Sequence, residues 1–244
     1  MNRFLIALQF ITRIPIKKEL DYNNKDLGSC MLYFPLIGSL LGGSLVLINY
    51  LGELYLAPLI TNSLLIIGMI LLTGGIHLDG LMDTCDGIFS GQNKDRILEI
   101  MRDSRVGAFG VIALISVFLL KFSLLVEISN SYKNSVLIYF PTISRWAIVY
   151  AALYYPSARK GGLGKTYAQY LKLKHFLLAT IWTLAVGIFL FDLQGLIIFL
   201  FSWLLTILII KMIIVKIDGL TGDNYGAINE LIEVFSILTM MVVL

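Results

Sequence analysis

Three aspartates, Asp79, Asp83 and Asp86, stand at i, i+4 and i+7 in the run GGIHLDGLMDTCDGIFSG, which extends from Gly74 to Gly91. On a helix they fall within an arc of about 60° and roughly 10 Å of length. Three like charges on one stripe repel each other, so a cation is expected among them. Hard divalent ions prefer oxygen donors, and magnesium in particular is held by carboxylates together with substrate phosphates. Asp79, Asp83 and Asp86 are therefore candidate metal ligands. The plainer reading is a solvated helix face, which the interruptions at Gly80 and Gly87 disfavour. His77, just upstream, fits three readings: ligand, proton carrier or hydrogen-bonded helix-end residue.

Two further segments carry charge in useful places. In LEIMRDSRVGAFG, Arg102 and Arg105 flank Asp103. Guanidinium forks suit phosphate oxygens, and they also tie down acidic groups. In DGLTGDNYGAINELIE, Asp223 is placed to cap a helix, and Glu230 would share its face seven residues on. Gly226 lies near the same stripe and permits close approach of another group. Glu230 and Arg145 both sit inside apolar runs, where an ionisable residue marks function or pairs with an opposite charge. Gly164-Lys165-Thr166 has the ending of a phosphate loop, but Arg159 stands where that motif needs its first glycine. Lys160–Thr166 reads instead as a flexible basic loop, with Lys165 available to an anionic substrate.

The elements that must position these residues are apolar. Hydrophobic residues make up 58% of the chain and charged residues 14%, with a mean hydropathy of +0.85. A soluble domain has about 45–50% and 25%, so the second apolar solvent is lipid. Seven stretches approach the length of a membrane span: 31–51, 58–76, 107–127, 134–155, 175–191, 195–215 and 227–244. Basic and base-poor connections alternate between them. Arg3, Arg13, Lys17, Lys18 and Lys25 precede the first span, and 77–106 and 156–174 are basic, whereas 52–57 and 192–194 carry no Lys or Arg. The positive-inside rule then places the N-terminus in the cytoplasm. The expected fold is all-α: one integral membrane domain, 1–244, of about seven transmembrane helices. The cytoplasmic connections 77–106, 156–174 and 216–226 form its working end. Phe4–Ile11 is too short to span and reads as an interfacial helix, with no cleaved signal peptide. A net charge of +3 without a basic stripe excludes nucleic acid, and two distant cysteines, Cys30 and Cys85, exclude a disulfide framework.

Together these motifs resemble the cobalamin synthase family, the adenosylcobinamide-GDP ribazoletransferases. The two central runs carry the resemblance. Phe10-Ile11-Thr12-Arg13-Ile14-Pro15, Tyr33-Phe34-Pro35-Leu36-Ile37-Gly38, Ala158-Arg159 with Gly161-Gly162-Leu163-Gly164, and Thr221-Gly222-Asp223 with Gly226-Ala227 and Glu230 extend it along nearly the whole chain. Asp218 departs from the pattern, where the family more often has a small residue. The resemblance implies an inner-membrane, magnesium-dependent enzyme with its site facing the cytoplasm. It would join adenosylcobinamide-GDP to α-ribazole or its 5′-phosphate, releasing GMP. In that reaction Asp83 or Asp86 would serve as general base, with His77 near the chemistry, while Asp79, Asp83 and Asp86 hold Mg2+. Arg102, Arg105, Asp103 and Lys165 would serve the phosphates, and Asp223 and Glu230 a second metal or the acceptor. A homo-oligomer, or association with other cobalamin-assembly enzymes, stays open. The rival classes are a CDP-alcohol phosphotransferase, whose Ala-Arg pair is missing after Asp79-Gly80, a prenyltransferase, whose aspartate spacing differs, and a transporter, whose duplicated halves are not visible.

Overall fold

The structure is a computed structural model and describes residues 2–17 and 20–244, so Lys18 lies outside the described residues. It is built of helices α1 (Asn2–Ile11), α2 (Asn24–Cys30), α3 (Phe34–Tyr55), α4 (Pro58–Thr73), α5 (Ile76–Ile88), α6 (Lys94–Ile100), α7 (Ala108–Glu127), α8 (Asn130–Tyr154), α9 (Leu163–Tyr170), α10 (Leu173–Ile217) and α11 (Gly222–Val243). A 3-10 turn, Met31–Tyr33, joins α2 to α3 in one rod of 32 residues.

Among the described residues, five helical rods are long and apolar enough to cross a membrane, or six if α4 and α5 together count as one broken span. The all-α bundle agrees with the sequence. The expected count of seven differs for two local reasons. The stretches 175–191 and 195–215 belong to one 45-residue element, α10. A straight helix of that length would measure about 68 Å, more than twice the hydrocarbon core. Instead the backbone breaks at Asp192, with φ 51° and ψ −137°. The arms fold back side by side: Trp146 packs on Phe176 of one arm at 6.0 Å and on Phe199 of the other at 4.5 Å between ring centroids. Gly195 lies directly against the Gly187 carbonyl, an approach that no Cβ would permit. The second difference is the stretch 58–76, which is only the 16 residues of α4.

α4 stops at Gly74 and Gly75, with φ of 67° and 70°. Two successive left-handed residues are cheap only for glycine, and they turn the chain by 91° into α5. α5 therefore runs across the end of the bundle instead of through it. α1 buries Ile6, Ala7 and Ile11 against the bundle, so it is a packed helix on one face. The most enclosed element is α8, at the centre, with Arg145, Trp146, Tyr139 and Phe140 fully buried. Many large apolar side chains on α4, α7 and α10 face outward, including Leu71, Leu119 and Phe189, as lipid contact requires. Lys133 is buried at the start of α8, where it donates to Asn62 at 2.7 Å and to the Leu125 carbonyl.

Backbone meets backbone where α5 crosses the first turns of α11. A Cβ on Gly80 would come 2.6 Å from the Asp223 carbonyl oxygen, and one on Gly226 would come 2.9 Å from the His77 carbonyl oxygen. Gly80→Ala and Gly226→Ala should each destabilise this crossing by about 1–3 kcal/mol. Gly43→Ala, where a Cβ meets nothing within 4 Å, should not. Thermal melting of the detergent-solubilised protein checks this: equal melting temperatures for all three variants would remove the crossing as a close constraint.

Candidate active site

The glycine crossing sets α5 against α11, and that contact brings the acidic connections together. His77, Asp79 and Gly80 of α5 line a cavity of about 170 Å3 with Asp223, Tyr225 and Gly226 of α11. Phe10, Tyr167 and Ile148 close its apolar side. The hydroxyls of Tyr167 and Tyr225 are buried and have no hydrogen-bond partner. Asparagine holds the crossing laterally: Asn224 donates to the Thr84 hydroxyl at 3.0 Å. The cap of α11 is Thr221, whose hydroxyl accepts from the Asn224 amide while the Asn224 side chain accepts from the Thr221 amide. This corrects the expectation of Asp223 as cap. The reciprocal Thr–Asn pair satisfies the helix end, and Asp223, two residues past the cap, lines the cavity while its carboxylate accepts from the Thr221 hydroxyl at 3.2 Å.

The three aspartates of α5 are not equivalent. Asp79 is exposed and lines the cavity. Asp83 is half-buried, and burial first, then the charges of Asp79, Asp223 and Asp86, push its carboxyl from 3.8 up to about 7, with Arg159 opposing. Asp86 is buried and committed elsewhere: one oxygen accepts from the Gly107 amide and the other from the Gly110 amide, both at 2.8 Å. It anchors the N-terminus of α7, where the helix dipole favours a negative group. Gly107 and Gly110 allow this because the Asp86 carboxylate occupies the space a Cβ would take. The expected triad thus separates into a cavity residue, a strained neighbour and a helix anchor. Among the described residues, no three His, Cys, Asp or Glu side chains form a ready cage for a metal ion. Magnesium is ordinarily held by one or two carboxylates completed by substrate phosphates, so the oxygen donors of Asp79 and Asp223, which line one cavity, suit that ion.

Two loops supply the basic side. The segment after α8 and the segment after α10 pair through a short parallel bridge between Ser157 and Leu220. Ala158 donates to Leu220 at 2.9 Å and Leu220 donates to Pro156 at 2.8 Å. Gly219 is needed there, since a Cβ would lie 2.6 Å from the Ala158 nitrogen. Asp218, just before it, is left-handed at φ 57°. That is the physical reason a small residue suits the position, and here its side chain reaches Lys94 at 3.1 Å. The bridge delivers Arg159 to Asp223, 3.2 Å away. The remaining donors of Arg159, Nε and Nη2, are buried without partners.

The other expected phosphate ligands are differently placed. Arg102 is exposed and lines a cavity of about 380 Å3 with Arg159 and Lys160. Arg105 is turned to solvent and forks onto Asp103, through Nε at 3.0 Å and Nη2 at 2.5 Å. Lys165 donates to the Lys160 carbonyl at 2.9 Å, and its segment is the start of α9 instead of the flexible loop expected for 160–166. Glu230 lies deeper than the cavity, where its carboxylate takes Lys121 at 2.8 Å. Lys121 also reaches Glu233 at 2.7 Å, and Glu233 binds Arg145. Arg145 stands 3.5 Å from Nδ1 of His77, at the cavity floor. Arginine has only donors, so Nδ1 accepts and His77 carries its proton on Nε2.

Sequence reasoning missed Arg159, Lys121 and Glu233 as members of the site or its support. Arg159 stood beside a glycine-rich stretch, and Lys121 was an ionisable residue in an apolar span, the same signal that singled out Glu230.

The fold and site together define a polytopic helical membrane protein with a carboxylate- and arginine-lined site at one end of its bundle. The chain belongs to the cobalamin-5-phosphate synthase family, whose model matches residues 3–241. Among its relatives, a protein of Clostridium acetobutylicum named adenosylcobinamide-GDP ribazoletransferase is 40% identical, covering 100% of this chain and 97% of its own. A protein of the same name from Desulforamulus reducens is 41% identical over 97% of this chain and 94% of its own, and one from Roseiflexus is 36% identical over 96% and 87%. No solved structure matches this chain. Family membership sets aside the other transferase classes and the transporter.

The buried cluster is charge-balanced, with Lys121 and Arg145 against Glu230 and Glu233. Removing one charge strands another in a dry interior at a cost of about 3–5 kcal/mol. Lys121→Met should therefore lower the melting temperature sharply, and Lys121→Met with Glu230→Gln should recover much of the loss. Equal melting of the single and double variants would deny the balance. The raised Asp83 favours the neutral form in the folded protein, so its stabilising contribution is complete below the ordinary value and is lost as pH rises through about 7. In chelator, wild-type melting should fall between about pH 4 and pH 7 and level off above that, and Asp83→Asn should flatten the fall. An unchanged slope would refute the assignment.

Proposed function

We infer that this chain is an adenosylcobinamide-GDP ribazoletransferase, joining adenosylcobinamide-GDP to α-ribazole or its 5′-phosphate and releasing GMP. The observation that carries the reading is identity with enzymes of that name along the whole chain. The chemistry is a phosphoryl substitution. A ribazole hydroxyl oxygen attacks the phosphorus attached to the cobinamide arm, and the bond from that phosphorus to the bridging oxygen breaks. GMP departs with that oxygen, and the hydroxyl proton passes to a carboxylate.

Each residue has a task in this reading. Asp83 is the base, because a carboxyl held near neutrality can take a proton and release it. The cavity takes the acceptor's aromatic base: Phe10, Tyr167 and Tyr225 line it, and the ribose and its hydroxyl lie outside, toward the carboxylates. Neutral His77 donates from Nε2 to an acceptor oxygen instead of taking a proton. Arg159 grips the diphosphate with its unpartnered Nε and Nη2 while Nη1 stays on Asp223. Asp79 and Asp223 are the residues that would hold Mg2+, and the ion would neutralise diphosphate charge that otherwise repels the nucleophile. Asp86 acts by holding α7. The alternation of basic and base-poor connections supports seven crossings, counting α4 and each arm of α10, with the N-terminus and the site on the cytoplasmic side of the inner membrane.

GMP release by the purified protein, given both substrates with and without magnesium, tests the reading. Release should require magnesium and fall at least about 100-fold in Asp83→Asn. Asp103→Asn, on the solvent-facing Arg105 pair, should stay within about 3-fold of wild type. No GMP release from wild type in magnesium would overturn the reading.

A further inference from the structure

Arg159 separates two spaces. On one side lie Asp223 and the acidic crossing. On the other lies the cavity of about 380 Å3 between α6 and the segment 158–160. That cavity falls in the range of small-molecule sites, roughly 300–1,000 Å3. Its lining is divided by charge: Arg102, Arg159 and Lys160 are basic, Asp95 and Glu99 of α6 are acidic, and Leu98 and Ala158 are apolar. Glu99 is paired with Arg96 at 2.6 Å on the exposed face of α6. Asp95 is exposed on the first turn of the same helix. Buried Arg159 donors without a partner require an acceptor, since an unsatisfied buried polar group is costly.

We propose that this cavity seats the leaving guanine nucleotide, an assignment that rests on the transferase reading above. The phosphate lies on Arg159, with Arg102 and Lys160 at the rim. The flat base lies between Leu98 and Ala158. The carboxylates of Asp95 and Glu99 accept from its N1–H and its exocyclic amine. Guanine presents two donors side by side on that edge. Adenine presents an acceptor at N1, which a carboxylate repels. The same carboxylates that would be misplaced in a site for phosphate alone thus become the means of choosing the base. The geometry also orders the reaction, because the Arg159–Asp223 contact places the diphosphate at the boundary between the nucleotide and the acidic crossing where the acceptor waits.

Equilibrium dialysis of GMP and AMP against the full-length protein in detergent tests this. GMP should bind at least about 10-fold tighter than AMP, the scale of a lost charged hydrogen bond. The combined Asp95→Asn and Glu99→Gln variant should bring that preference below about 3-fold while leaving AMP binding near wild type. Arg159→Lys should weaken both nucleotides about 10-fold, because lysine cannot reproduce the planar fork. Equal binding of GMP and AMP to wild type, or a preference that survives in the Asp95, Glu99 variant, overturns the proposal. Wild-type GMP release without a GMP preference would refute the seat and leave the transferase reading standing. A GMP preference that Asp95 and Glu99 control, in a protein that releases no GMP, would refute the transferase reading and keep the seat.

Discussion

The site depends on one close contact, the passage of α5 across the first turns of α11 at Gly80 and Gly226. Helices normally pack at 8–10 Å between axes, with side chains filling the space. Here the side chains are missing, and backbone lies against backbone. That approach draws carboxylates of two distant segments into one electrostatic neighbourhood, where Asp83 feels both Asp79 and Asp223. The contact in turn needs α5 to lie across the bundle, which is the work of the left-handed Gly74 and Gly75. Four glycines therefore do together what no single acidic residue could: they impose a repulsive arrangement on a chain that would otherwise spread its charges apart.

Such an arrangement needs opposing restraint. Below the crossing, Lys121, Glu230, Glu233 and Arg145 link α7, α11 and α8 through charges that have no water to retreat to. Beside it, the bridge between 157 and 220 fixes the two loops that carry Arg159 and Asp223. At its far end Asp86 fastens α5 to α7 through two backbone amides. Each tie uses a polar group in a place where leaving it unmade would be expensive. The lipid-facing rods provide the frame, and these few polar ties set the register in which the frame presents its carboxylates.

The frame was legible in the sequence because lipid imposes length and composition directly. The all-α bundle, both ends of α7 and the C-terminal ends of α8 and α11 follow from apolar runs and their flanks. The fold-back of α10 was legible as two stretches, but its tightness was not, since a non-glycine residue, Asp192, carries the break. The acidic stripe was legible as a pattern, yet its division of labour was not. Periodicity places Asp79, Asp83 and Asp86 on one face, but it cannot say that the amides of Gly107 and Gly110, 21 and 24 residues away in sequence, claim Asp86. Glu230 was singled out for being ionisable among apolar residues. The same argument applied equally to Lys121, and pairing the two requires knowing that α7 and α11 touch. Asp223 was mistaken for a cap because Asp and Thr are both good capping residues, and only the reciprocal bonds of Thr221 and Asn224 decide between them.

Arg159 shows most clearly why charge alone is a poor guide to role in such a protein. By sequence it is one of several basic residues in a cytoplasmic connection, and the positive-inside rule accounts for all of them equally. In the folded chain they diverge. Arg105 spends its fork on an exposed aspartate, a pairing worth little in water. Lys165, on the first turn of α9, donates back to the Lys160 carbonyl. Arg159 alone among these is drawn inward by Asp223 and left with buried donors unmet. A cation that is half-neutralised by a carboxylate and half-unsatisfied is poised for an anion that arrives already carrying charge. A diphosphate meets that need without displacing Asp223, because the guanidinium is planar and presents separate edges to its two partners. The acidic crossing and the basic loops are thus joined in one residue, through the contact of 3.2 Å between Arg159 and Asp223.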